Sequence, residues 1–161
     1  MDSIILVQYM HFVRNRFMKQ LTELPWNEVV QNRGASFESL RNIFLHTLDA
    51  EEKLVNYIVA TETKNWHARD PADFKDIDSI RRSTRRVESK TNAFLAKMTP
   101  AGLERELDFS KPGMPPRMVR VEDVLVHLVL ENTHHFGEFI ALLWQMDVAP
   151  SHMGWISYLQ R

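Results

Sequence analysis

The chain has 161 residues, 44% hydrophobic and 25% charged, with a formal net charge of -1. One soluble domain over residues 1–161 is expected at this length, with a core large enough to fold without staples, and so small a charge supplies no overall field to recruit nucleic acid. Cysteine is absent, which excludes disulfides, a cysteine nucleophile and thiolate-held zinc or iron-sulfur sites, so any metal has to be held by His, Asp or Glu.

The apolar run from Ile4 to Val7 is short, lacks a basic flank and is followed by Gln8, Tyr9 and His11 rather than a small-residue cleavage site. It reads as the start of a helix, not as a secretion signal. No segment approaches the ~20 apolar residues of a membrane span, so a cytoplasmic address is expected. With Asp2 or Ser3 as cap, Leu6, Met10, Val13, Phe17, Leu21 and Leu24 keep a three-four spacing until Pro25 stops the helix. His11 and Arg14 fall off that stripe and are expected at the surface. Residues Pro25 to Gly34 read as a connection.

Ser36, with Glu38 in the following turn, is the expected start of a second helix that buries Phe37, Leu40, Phe44, Leu48, Val55 and Ile58. His46 lies at the margin of this apolar face, where a side chain reaches the mouth of a bundle. Thr63 to Pro71, with Trp66, His67 and the Asp70-Pro71 pair, has the composition of a loop. A third helix is expected from about Asp73 to Met98, seamed by Ile77, Ile80, Thr84, Val87, Thr91, Phe94 and Met98. Its Arg81, Arg82, Arg85 and Arg86 form a basic cluster, read as a solvated face paired with Asp76, Asp78 and Glu88. Between Leu103 and Val121 prolines and glycine break helical structure, and the alternation in 106–109 and 117–120 suggests a short two-stranded excursion.

The longest pattern runs from Val121 to Val148, opened by Glu122 and Asp123 and closed by Pro150. Val124, Leu128, Phe139, Leu142 and Met146 form its stripe, and Glu131 and His135 stand where that stripe calls for core residues. The apolar tail with Trp155, Ile156, Tyr158 and Leu159 is expected to pack back on the body. Four long amphipathic helices without repeats or linkers predict an all-α fold, a four-helix bundle whose sites are built from facing helices.

His127, Glu131 and His135 follow at four-residue steps, with His134 beside the last. Ligands one turn apart let a helix chelate a single cation, and His46 is the best-placed third ligand. Two imidazoles and one carboxylate suit zinc, nickel, manganese or ferrous iron. A buried hydrogen-bonded Glu131–His135 pair is the alternative that the residues alone leave open.

The run HLVLENTHHFGEFIALLWQMDVAP, from His127 to Pro150, resembles the last-helix signature of the DinB/YfiT-like superfamily of metalloproteins, and SFESLRNIFLHTLDAEE, from Ser36 to Glu52, resembles its second helix. The resemblance implies the DinB/YfiT-like type of four-helix bundle and a homodimer, with a metal held by His46, Glu131 and His135. Glu131 stands where the family usually has His, and Phe136 and Glu138 replace the usual Arg and Gln around Gly137. Zinc or nickel would be the expected metal, with manganese or iron next, and His127 and His134 the candidate catalytic bases. The family includes thiol transferases that use low-molecular-weight thiols, and hydrolases, so a small-molecule substrate is expected and neither nucleic acid nor membrane. The contrasting expectation is a non-catalytic metal- or ligand-binding bundle that acts through a partner.

Overall fold

The computed structural model describes residues 2–60 and 66–160; the part of the expected loop from Thr63 to residue 65 lies outside them. Helix α1 covers Ser3–Glu23, and the Asp2 carboxylate caps it by accepting from the Ile4 and Ile5 amides. The connection after it contains a short helix, α2, Trp26–Val30. Helix α3, Leu40–Ala60, begins later than expected. Glu38 has φ 67°, which interrupts any helix started at Ser36, and the Ser39 hydroxyl caps the first turn by accepting from the Asn42 amide at 3.2 Å.

A 3-10 turn at Pro71–Asp73 precedes α4, Ile77–Leu95, which is capped by Asp76 and shorter at both ends than the periodicity predicts. Pro100 then opens a second short helix, α5, Pro100–Glu104, at the first helical position, where the missing N–H costs nothing. The expected excursion is there: β1, Glu106–Asp108, pairs antiparallel with β2, Met118–Arg120, with Leu107 opposite Val119. The hairpin delivers the chain into α6, Val121–Gln145. Asp147, with φ 55°, turns the chain out of the helix ahead of Pro150. The tail forms α7, Trp155–Leu159, and packs on α1 through Tyr9, whose ring lies 5.0 Å from Trp155 and 5.3 Å from Tyr158.

The four long helices make a bundle in which α1 touches α4 and α6, and α3 touches the same two. Their order around the bundle is therefore α1, α4, α3, α6, with α1 opposite α3. Phe17, Phe44 and Phe139 fill the centre, with Phe17 and Phe139 ring centroids 4.5 Å apart. Of the acidic partners expected for the arginine cluster on α4, Asp78 is the one within ion-pair distance of a member, Arg81, among the described residues, and Asp76 feels the charge of Arg82. Asp76 caps the helix and Glu88 faces inward to Arg14.

His11 and Arg14 are not surface residues. Arg14 is fully buried and His11 is 6% exposed, because α1 packs against a helix on each side and buries a wider arc than one stripe. Glu51 of α3, also fully buried, receives His11 Nε2 at 2.8 Å, Arg14 Nη1 at 2.5 Å and the Thr91 hydroxyl at 2.5 Å. Arg14 Nη2 donates to Asn132 Oδ1 of α6 at 2.9 Å and to the Thr47 carbonyl at 3.3 Å. All four long helices thus meet in one polar network. Burial alone would raise the Glu51 pKa, but the Arg14 charge and the hydrogen bonds from His11 and Thr91 outweigh it and hold the group at about 2, against an ordinary 4.5.

Removing one partner of such a pair leaves a buried charge unmatched, so Arg14→Met should cost roughly 3–5 kcal/mol of unfolding free energy in urea titrations at pH 7. The depressed Glu51 pKa means that its contribution is complete above pH 4.5 and is lost as pH falls toward 2. Glu51→Gln protein should therefore show a flatter stability profile across that window than the parent.

Candidate metal centre

The edge where α3 meets α6 carries the cluster singled out in the sequence. His46 is set by the middle of α3, Glu131 and His135 by successive turns of α6, and each offers a ligand atom within 4.8 Å of the others. Glu131 Oε1 lies 3.7 Å from His46 Nε2 and 3.4 Å from His135 Nε2. Two ligands at ~2.1 Å on a tetrahedral centre are about 3.4 Å apart, so both edges that run to Glu131 are near the spacing of a coordination shell. The two α6 residues do not point into the bundle interior as the stripe suggested. Glu131 is about one-third exposed and His135 about one-eighth, while the neighbouring Asn132 is the polar residue that faces the centre.

Three observations on the surroundings matter chemically. First, His135 Nδ1 is 2.9 Å from Glu138 Oε2. With Glu138 ionised, Nδ1 is the protonated nitrogen, and a neutral His135 then turns the lone pair of Nε2 toward the Glu131 carboxylate. Two acceptors facing each other at this range need a proton or a cation between them. Second, His46 Nε2 is buried and has no hydrogen-bond partner among the described residues, an arrangement that costs free energy unless something binds there. Third, Phe37 stacks on the His46 ring at 3.9 Å and meets His135 edge-on at 5.3 Å, fixing both orientations.

Electrostatics prepares the donors. Burial pushes the His46 pKa down, as does His135 whenever it is protonated, against the pull of Glu131 and Asp49; both effects favour the neutral ring with its lone pair available. Burial raises the Glu131 carboxyl, but hydrogen bonding and charge from His135, with smaller contributions from His127 and His46, bring it below its ordinary value. Glu138 is lowered in the same way by His135 and Ser36. The Ser36 hydroxyl donates to Glu138 Oε2 at 2.7 Å, so the turn before α3 holds the carboxylate that holds His135.

His127 and His134 are both exposed, and among the described residues neither makes a hydrogen bond. His127 is one turn before Glu131 and close enough to influence its charge. Phe37, Ser36 and Glu138 were not expected at the site. Glu138 had a legible signal, its three-residue spacing from His135, which puts the two on one helix face. The positions of Ser36 and Phe37 depend on the turn at Glu38 and have no comparable signature.

A bundle of this order with a His, Glu, His cluster between its second and last long helices defines a class. The DinB family model matches residues 2–160, and the chain belongs to the DinB family. Among solved structures it is similar to YfiT from Bacillus subtilis, described as a probable metal-dependent hydrolase with an unusual four-helix bundle topology. That match has a TM-score of 0.66 at 14% identity and covers 91% of this chain and 89% of the other. At that identity the likeness concerns the fold. No curated protein matches the chain significantly in sequence.

In metal-free protein the His46 imidazole should titrate below the 6.5 of an ordinary histidine when followed by NMR, and His135 should carry its proton on Nδ1. A normal His46 value would mean that its nitrogen is hydrated rather than buried. Glu138→Ala should weaken binding of a divalent metal by about 10- to 100-fold, the usual effect of removing a carboxylate that orients a ligating histidine.

Proposed function

We propose that the chain is a metal-dependent enzyme acting on a small molecule, of thiol-transferase or hydrolase type, with His46, Glu131 and His135 as the metal ligands. The observation that carries this reading is the convergence of His46, Glu131 and His135, each offering a ligand atom within 4.8 Å of the others, with His46 Nε2 buried and without a hydrogen-bond partner among the described residues, an arrangement that a single cation would satisfy. Zinc or nickel suits two imidazoles and a carboxylate best, and manganese or iron is the alternative. Three protein ligands leave coordination positions open, and a divalent ion in such a site lowers the pKa of a water or thiol that joins it.

The residues of the chain divide the remaining work. Glu131 supplies negative charge to the ion, and Glu138, held by Ser36, keeps the His135 ring from rotating. His127, exposed one turn before Glu131, is placed to take a proton from a nucleophile arriving from solvent, with His134 as the second candidate. Since the chain has no cysteine, a thiol would have to come as a low-molecular-weight cosubstrate. The description of YfiT as a probable metal-dependent hydrolase supports water as the other nucleophile. The family resemblance adds a homodimer to this reading.

Metal analysis of protein purified without a histidine tag should find about one divalent ion per chain, and Glu131→Ala should lower that content. Unchanged content in the variant would remove Glu131 from the ligand set. Hydrolytic or thiol-transfer activity should vanish on chelation and return with added metal, whereas full activity in a metal-free preparation would sink the enzyme reading. A loss of thermal stability on chelation, with no activity toward either substrate class, would favour a non-catalytic bundle whose metal is structural.

A further inference from the structure

Helices α1 and α4 leave between them a groove of about 280 Å3, on the edge of the bundle opposite the α3–α6 cluster. Its lining brings three cations together, Lys19 of α1 with Arg81 and Arg85 of α4. Arg81 and Arg85 are four residues apart and therefore stand on the same helix face, a like-charge arrangement that is unfavourable by itself. Arg81 is shared with Asp78, but neither Lys19 nor Arg85 has an ion-pair partner among the described residues. Two carboxylates of α4 are engaged elsewhere, Glu88 with Arg14 and Asn15 and Asp76 at the start of the helix, while Glu23, four residues after Lys19, stands exposed at the end of α1.

The neutral donors of the groove are committed as well. The Asn15 amide donates to the His11 carbonyl and to Glu88, the Thr22 hydroxyl to the Lys19 carbonyl and the Thr84 hydroxyl to the Ile80 carbonyl. What the groove still offers a ligand is positive charge and the N–H groups of three cations. A neutral ligand would leave their mutual repulsion in place. A multiply charged oxyanion would relieve it and accept several charge-assisted hydrogen bonds at once, for which the guanidinium groups are well shaped.

We propose that this groove is a binding site for a small phosphate-bearing anion, separate from the His46, Glu131 and His135 cluster. Its volume of about 280 Å3 falls just below the ~300–1,000 Å3 of pockets for drug-sized ligands, which suits a small anion, and a net charge of -1 over the whole chain does not supply the extended basic stripe that a nucleic-acid polymer requires.

Pyrophosphate titrated calorimetrically into the full-length protein at constant ionic strength tests the assignment. Saturable binding is expected, weakened at least tenfold by Arg85→Met and by Lys19→Met. Both side chains are exposed, so the variants should fold. Arg86→Met, whose side chain does not line the groove, should bind like the parent. Phosphate oxygens also bind metals, so the affinity must survive in His46→Ala protein. Binding that disappears with His46, that ignores Arg85→Met, or that sodium chloride reproduces would overturn the proposal. Tighter binding of duplex DNA through the same residues would overturn it in favour of a polymer.

Discussion

The ion pair between Arg14 and Glu51 is the constraint on which the arrangement of this bundle turns. It joins α1 to α3 across the bundle diagonal, between two helices that are not neighbours, and reaches α4 through Thr91 and Glu88 and α6 through Asn132. Charges taken this far from water are tolerable only with their partners in place, so the four helices can slide or rotate little without stranding one of them. The consequence for the site is direct. Asn132 must face the centre, and Glu131, one residue earlier and about 100° around the helix, is thereby turned toward the α3 margin where His46 stands. Polar chemistry at the centre thus aims the polar chemistry at the edge.

Much of the architecture was legible because it rests on periodicity and on residues with strong local preferences. The four long helices, the stop at Pro25, the 106–120 hairpin and the returning aromatic tail all followed from spacing, proline and alternation. The ends of the helices were less legible, since they depend on which of several competent residues does the capping. Ser36 and Ser39 are equivalent as a pattern, and the left-handed backbone at Glu38 decides between them. Arg14 was misplaced for a different reason. A single apolar stripe describes a helix with one packed face, whereas α1 is flanked on two sides, and an arginine can be buried only because Glu51 and Asn132, far away in sequence, are there to receive it.

At the candidate centre, the three predicted ligand positions converge, although the expectation that Glu131 and His135 point inward does not hold. What spacing could not convey is the support around them. Phe37 orients two imidazoles from a turn that was expected to be helix, and Ser36 steadies Glu138 from a segment 102 residues away. Glu138 also gives physical sense to this chain's departure from the usual family pattern. With a carboxylate at that position, His135 is committed to one tautomer, and with a second carboxylate at Glu131 the cluster is more negative than three imidazoles would be.

The placement of the cluster on the α3–α6 edge also bears on the order in which the molecule assembles. Helix α6 alone can present Glu131 and His135 as a two-point grip one turn apart, but His46 arrives only after α3 has closed on α6 across about half the length of the chain. Such long-range closure comes late, because its entropic cost is met before its contacts form. A cation captured at that moment would act as a clasp on the finished bundle, selectively slowing its reopening while leaving the early collapse of the individual helices untouched.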